Sequence, residues 1–574
     1  MEGILELVRG LPVGFANVHI FLLRLLAPAL MGLILWRAGK PLLSFRKEPE
    51  IWAILRLQDG TGLPVTHWEN IIGRHPKSDL VIDLPTISKN HAVLTRYDDG
   101  SWTITDTEST GGVRINGEEM DICALEPGDE IELGGLKMYL EPITAQQEER
   151  LAQLRSRASS GGTSVLNLLL LTLFQGLCCL AFLLNGDSAY GKDVLLGFGG
   201  ICAAQWLLLC FYACIRRSGF EIETIAFLLC TMGMNVIAAA APGEVMKQLV
   251  AMGLGLGVFF FVGWSLRDLE RAKKIRYWAT IAGIGFLIIT LLFGKEIHGA
   301  KNWLVLAGFS IQPSELSKLC FVFVGASTMD RILRKRNLFG FIAYSVVLCG
   351  LLALMNDFGT ALIFFIAFLS IAYMRSGSVG TIGLAVTSLG FAGVIALKIA
   401  PHALRRFTIW RHVWQDPLAR GYQQTRSLMC LASGGLLGMG AGNGWMKNLF
   451  AADTDVVFAT VGEEWGLICA MMMVGAVCLL ALFCLRSASL GRSSFYTIGA
   501  CTSASILLAQ TILNVMGTID LLPFTGVTFP FVSNGGSAMI SAWGMLAFVK
   551  AADIRQDASF AIRINRRRGR EVDE

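Results

Sequence analysis

Residues 163–184 read TSVLNLLLLTLFQGLCCLAFLL, without one charged side chain. A helix needs about 20 apolar residues to cross the hydrocarbon core of a bilayer. Comparable runs lie near 191–214, 221–241, 245–265, 277–294, 312–329, 339–356, 359–375, 379–399, 457–484, 494–517 and 530–551. An earlier run, 15–36, carries His19, Arg24 and Pro28. A signal peptide is the rival reading there, but the start shows no basic n-region and no clear small-residue cleavage site. About thirteen spans are therefore expected. The composition agrees: of 574 residues, 53% are hydrophobic and 16% charged, with a mean hydropathy of +0.56. A soluble protein carries roughly a quarter charged residues, so an ordinary cytosolic enzyme is excluded. The net charge, 49 − 44 = +5, is too mild for a nucleic-acid partner. The fourteen cysteines are scattered through apolar runs without metal-ligand spacing, and read as small core hydrophobes.

Basic residues in short loops mark the cytoplasmic side. Arg216-Arg217, the stretch 267–276, the stretch 331–336, Arg375, Arg486 with Arg492, and the tail arginines Arg563, Arg566, Arg567, Arg568 and Arg570 are expected there. The opposite loops are 185–192, 241–244, 294–312 and a long segment, 400–456. That segment carries Arg405, Arg406, Arg411, Arg420 and Arg426, against the trend. An anionic ligand held outside the membrane is the simplest reason; the plainer one is that long loops escape the rule.

Residues 48–145 differ sharply. Short alternating apolar segments, such as Ala53-Ile54-Leu55-Arg56-Leu57 and Glu130-Ile131-Glu132-Leu133, are separated by Asp59-Gly60, Asp99-Gly100 and Asn116-Gly117. The pattern predicts a compact all-β sandwich. A charged stretch and Ser159-Ser160-Gly161-Gly162 then lead into the membrane. Along this insert, Ile71-Ile72-Gly73-Arg74 precedes Thr86-Ile87-Ser88-Lys89-Asn90-His91, then Asp106 to Thr110 and Ile115-Asn116-Gly117-Glu118. This constellation resembles the forkhead-associated (FHA) domain, a reader of phosphothreonine peptides. The resemblance implies phosphate contacts from Arg74, Ser88 and Thr110, with Lys89 as a further donor and His91 as an internal brace. Guanidinium–phosphate contacts suit that task, being charge-assisted and geometrically specific. One departure is Thr110-Gly111-Gly112-Val113, where Gly111 replaces the asparagine that would hold the peptide backbone. A sandwich that only docks is the alternative. On the cytoplasmic side its ligand would come from a membrane Ser/Thr kinase or a phosphothreonine protein.

Further motifs fall on the other side of the membrane. They are Gly299-Ala300-Lys301-Asn302-Trp303; Ile311-Gln312-Pro313-Ser314-Glu315-Leu316-Ser317-Lys318; Asn356-Asp357-Phe358-Gly359; and Gly421-Tyr422-Gln423 to Arg426-Ser427 with Gly442-Asn443-Gly444. Asp453-Thr454-Asp455 and Phe529-Pro530-Phe531-Val532-Ser533-Asn534-Gly535-Gly536 complete the set. Read singly, Glu315 and Lys318 lie three apart and can pair, Asp357 can cap a helix, and Asp455 or Thr454 can do the same. In this order over 217–556, the motifs resemble the SEDS family (shape, elongation, division and sporulation; FtsW/RodA/SpoVE). The Gly442 to Lys447 stretch is nearer the division and sporulation branch.

That resemblance implies a mostly α, polytopic membrane bundle with a ten-helix core, to which 163–216 adds two helices and 1–47 one more. Residues 146–162 form a linker and 557–574 a basic cytoplasmic tail. It implies polymerisation of lipid II outside the membrane beside a class B penicillin-binding transpeptidase. Asp455 matches the family's essential aspartate, and Glu315 with Lys318 a buried pair lining the central cavity. Trp303, Asp357, Arg406, Gln423, Ser427 and Ser533 fall in motifs facing that cavity. The family's Pro-Glu-Ala-His reads Phe450-Ala451-Ala452-Asp453 here, and its Ser-Tyr-Gly-Gly reads Ser533-Asn534-Gly535-Gly536.

The chemistry fits these residue types. A carboxylate can take the proton of the acceptor hydroxyl, for about 10²–10⁴ in rate, while cationic groups stabilise the departing pyrophosphate. No cofactor is evident; a divalent cation, magnesium or manganese, could bridge pyrophosphate and carboxylates, but nothing has metal-ligand spacing. Two alternatives stand beside the enzyme: a lipid II transporter, disfavoured by the absence of a clear internal repeat, and a phospho-signal scaffold with an inactive membrane part, disfavoured by the presence of Asp455.

Overall fold

The computed structural model describes residues 5–6, 8, 11–44, 51–76, 78–97, 100–144, 146–147, 150, 158–186, 188–267, 269–297, 300–306, 309–330, 335–376, 379–399, 401–488, 493–555 and 557–559. Most of the expected linker and most of the basic tail lie outside these residues.

The chain enters through α1 (Val13–Leu43), then makes eleven strands: β1 (Ala53–Leu57), β2 (Gly62–Val65), β3 (Glu69–Gly73), β4 (Leu80–Val81), β5 (Ala92–Arg96), β6 (Trp102–Asp106), β7 (Val113–Ile115), β8 (Glu118–Glu119), β9 (Ile122–Leu125), β10 (Glu130–Leu133) and β11 (Leu136–Pro142). They form two sheets, ordered β2-β1-β11-β10-β7-β8 and β4-β3-β5-β6-β9. Alternation puts Leu55, Leu94, Ile104, Ile131 and Met138 inside. Both central residues of the β7–β8 turn have positive φ, Asn116 at 53° and Gly117 at 89°. That is the primed turn an Asn-Gly pair favours.

The membrane part continues with α2 (Gly161–Asn185), α3 (Gly191–Cys214), α4 (Glu221–Ala240), α5 (Val245–Leu266) and α6 (Leu269–Phe293). Three short strands follow, β12 (Lys295–Ile297), β13 (Ala300–Leu306) and β14 (Phe309–Ile311), then α7 (Pro313–Asp330), α8 (Lys335–Leu354), α9 (Phe358–Ser376) and α10 (Val379–Ile399). The last elements are α11 (Pro401–Ile409), α12 (Tyr422–Gly434), α13 (Val457–Glu464), α14 (Gly466–Ala488), α15 (Ser494–Thr518) and α16 (Gly536–Ala551). A helix stands at every expected run. Among the described residues, nine are long and apolar enough by themselves to cross a membrane. This is a multi-pass membrane protein.

Helices α4 and α15 form the middle of the bundle, being buried over most of their length; a helix that is apolar all round belongs inside. Phe227 of α4, Phe259 of α5 and Phe531 each meet Trp543 of α16 at a steep angle between ring planes.

Three expectations change. The run 457–484 is two helices, because Gly466 sits at φ 87° and a Cβ there would lie 2.3 Å from the Leu436 carbonyl. The run 530–551 is helical only from Gly536, since Ser533 and Asn534 bond to residues 453 and 454 instead of continuing a helix. The expected loop 294–312 contains the β12-β13-β14 sheet.

Candidate active site and phosphate cradle

The segment Asp453-Thr454-Asp455 just precedes α13, at the end of the bundle opposite the sandwich. Its three carbonyls are each held by a different donor. Asn534 N donates to Asp453 O at 2.7 Å, Ser533 Oγ to Thr454 O at 2.6 Å, and Asn514 Nδ2 of α15 to Asp455 O at 2.9 Å. Asn514 Nδ2 also donates to Val527 O at 2.8 Å, and Phe529 N donates to Ser533 Oγ at 2.8 Å. The loop before α16 is thus tied to the aspartate loop through backbone acceptors. Such bonds fix the position of Asp455 without engaging its carboxylate, and preorganised geometry is what a reacting group needs. The carboxylate lies against Gly526, where a Cβ would stand 3.2 Å from Asp455 Oδ2.

Arg406, exposed on α11, donates to Thr525 O at 3.0 Å, which brings a guanidinium to the loop beside Asp455. Gln423 Nε2 reaches Phe450 O at 3.1 Å. Ser427 is buried on α12 and donates to Gln423 O one turn back at 2.8 Å, a bond within its own helix. Ser533 likewise acts through Thr454 O and is buried. Burial, then Glu463 beside it, pushes the Cys430 thiol up to about 12, which leaves it a protonated core group and no nucleophile.

A second polar cluster adjoins the first. Asp357 accepts from Asn302 Nδ2 at 3.3 Å and Gln312 Nε2 at 3.4 Å, and caps α9 through Thr360 N at 3.1 Å. Gln312 N donates to Ser537 Oγ at 2.9 Å. Gly359 packs on Thr525 and Val527, so this cluster borders the Asp455 loop. Trp303 lies in β13, opposite Lys295. Glu315 and Lys318 pair at 2.6 Å, both almost fully buried. Removing one partner of such a pair costs about 3–5 kcal/mol. Among the described residues, no group of three or more His, Cys, Asp or Glu converges as a metal site.

Sequence reasoning missed Gln248, Asn514 and the Asp453–Asn534 bond. Gln248 joins Ser533 O and Gly535 N. Of these, only Asp453 and Asn534 left a signal, as two of the positions departing from the family pattern; the structure bonds Asn534 Nδ2 to Asp453 Oδ2 at 2.7 Å.

At the other end of the molecule, Arg74, Ser88, Lys89, Thr110 and Arg114 line a cavity of about 740 Å³ in the sandwich. Thr110 N donates to Ser88 Oγ at 3.0 Å, and Arg74 N to Ser88 O at 3.0 Å. His91 Nδ1 accepts from Ser88 N at 3.1 Å, so its proton sits on Nε2, which meets Gly112 O at 2.9 Å. The imidazole therefore clamps the Ser88 loop to the Gly111-Gly112 turn from inside. A larger apolar groove of about 930 Å³ lies between α1 and α14, away from both sites.

The profile of the FtsW/RodA/SpoVE family, described as cell cycle protein, matches residues 212–557. That of the FHA domain matches residues 70–134. The chain is 30% identical over 322 residues to a peptidoglycan glycosyltransferase RodA of Mycobacterium tuberculosis, spanning 53% of this chain and 69% of that protein. It is 31% identical over 365 residues to a probable peptidoglycan glycosyltransferase FtsW of Tolumonas auensis, spanning 59% and 93%. Among solved structures, one described as structural coordination of polymerization and crosslinking by a peptidoglycan synthase complex matches at TM-score 0.50 and 26% identity. It covers 57% of this chain and 96% of that one.

Proposed function

The chain belongs to the FtsW/RodA/SpoVE family, and from that premise we propose that it is a peptidoglycan glycosyltransferase polymerising lipid II, with Asp455 as its general base. The observation that carries the assignment is the three-carbonyl hold on residues 453–455. In this reading the acceptor sugar hydroxyl attacks the anomeric carbon of the donor and loses its proton to the Asp455 carboxylate. The bond from that carbon to the pyrophosphate oxygen breaks as the new glycosidic bond forms. The leaving pyrophosphate carries the negative charge away, and cationic groups such as Arg406 stabilise it. Asp453 is bonded to Asn534, and charge neutralisation at the leaving group is assigned to the arginines.

The orientation follows from the basic loops: the FHA sandwich cytoplasmic, the 400–456 segment outside. The sandwich binds phosphothreonine proteins through Arg74, Ser88, Lys89 and Thr110, whose donors line one cavity. A class B penicillin-binding transpeptidase is the crosslinking partner, a proposal supported by the similarity to a synthase complex.

The deciding experiment is polymerisation of labelled lipid II by purified protein, alone and with a cognate class B transpeptidase. Wild type is expected to give glycan ladders and Asp455→Asn none. Ladders from both would remove Asp455 from the mechanism, and a transporter would lose little from that substitution.

A further inference from the structure

The phosphate cradle and Asp455 lie at opposite ends of the molecule, yet one short path joins them. Arg74 directly follows β3, whose first residue is Glu69. The same strand pairs with β5 from Glu69↔Thr95 to Ile72↔Ala92, and Arg74 N is bonded to Ser88 O. A phosphate gripped by Arg74 and Ser88 therefore acts on the strand that carries Glu69. The Glu69 carboxylate accepts the hydroxyl of Ser494, which opens α15.

Helix α15 has the build of a stiff rod. Its 25 residues contain no proline, the usual cause of a kink, and span about 37 Å at 1.5 Å per residue. Gly499 lets it press on Phe548 of α16, where a Cβ would lie 2.6 Å from the ring. Ser505 bonds Ser370 of α9 at 3.0 Å. Near its far end Asn514 holds Asp455 O and Val527 O. Contiguous packed elements of this kind can carry coupling, which a measurement must demonstrate.

We propose that phosphothreonine-peptide binding at Arg74 is transmitted through the Glu69–Ser494 contact and α15 to Asn514, which positions the Asp455 loop. The effect on rate rests on the glycosyltransferase reading; the mechanical link does not.

The test is amide hydrogen exchange of residues 450–456 in the full-length protein, with a phosphothreonine peptide and its unphosphorylated control. Exchange in wild type is expected to change by about threefold or more with the phosphorylated peptide. In Ser494→Ala and Glu69→Leu, each of which removes one partner of the bond, the change should vanish while the phosphorylated peptide still binds, and Ser494→Thr, which keeps the hydroxyl, should restore it. A wild type that does not respond, or does not bind the peptide, overturns the proposal. So does a full response in Ser494→Ala. Lipid II polymerisation measured in parallel separates the two readings: an intact exchange response without glycan product would sink the polymerase assignment and leave the coupling standing.

Discussion

Asp453 and Asn534 are positions, one in each of two motifs, where the chain departs from its family's pattern, and they hydrogen-bond to each other at 2.7 Å. Two changes that look independent along the sequence are one exchange of contact in space, and the bond closes the same loop that carries Asp455. Asn514 contributes to that hold from within an apolar helix, where nothing in the sequence set it apart from a polar residue facing a neighbour. Replacing it by leucine removes the donor to Asp455 O and Val527 O without emptying the site. A misplacement of about 1 Å can cost roughly 10²-fold in rate, so Asn514→Leu is expected to lower kcat by about 10–100-fold with KM little changed. Steady-state polymerisation kinetics check it; a change confined to KM would instead assign Asn514 to substrate binding. At the cradle, Arg74→Ala removes a charge-assisted contact of about 1.5–3 kcal/mol, roughly 10–200-fold in Kd. Calorimetry with a phosphothreonine peptide reads that loss, and equal affinity in both proteins would exclude Arg74 from the cradle.

Strands, helices and turns were legible wherever a local rule set them. Asn116-Gly117 encodes its own turn, and the apolar runs encode the helices. The break at Gly466 was not legible, because it depends on the carbonyl of Leu436, thirty residues earlier in a separate loop. The β12-β13-β14 sheet was missed for a related reason: its strands are only three to seven residues long, too short for a period to show. Within the sandwich, local charge also sets a pH dependence. The Glu130 carboxyl is held below its ordinary range by Lys137 and then Tyr139, and Asp129 by Glu126 N and then Asn116. Depressed folded-state values give stability that is present above the unfolded pKa and lost as pH falls through the folded one. The sandwich should therefore melt at progressively lower temperature as pH drops below about 4, the ordinary carboxylate range. Thermal melts followed by proteolysis within residues 51–144 report it, and a Tm flat between pH 5 and 3 would contradict it.

Across the whole molecule, a buried ionic cluster joins parts of the chain that are far apart in sequence. Arg555, beyond α16, bonds Asp553 at 2.7 Å and Glu221 at 3.2 Å, and Glu221 in turn accepts Ser159 N at 3.0 Å. Alongside, Lys550 of α16 bonds Gly219 O at 2.7 Å and Glu223 at 3.2 Å, and Tyr212 of α3 donates to Glu223 at 2.7 Å. Ser159 before α2, the added helix α3, the start of α4 and the segment at the end of α16 therefore meet in one place. Removing a single member leaves uncompensated buried charge, a cost of about 3–5 kcal/mol, whereas replacing a whole set by apolar groups can be nearly neutral. Arg555→Ala is thus expected to lower the melting temperature of the purified protein, and Arg555→Met combined with Glu221→Met and Asp553→Leu to recover most of it. If the single variant melted like wild type, the cluster would be decoration; if the triple variant fell further than the single one, the cluster itself, and not the avoidance of stranded charge, would hold the linker against the bundle.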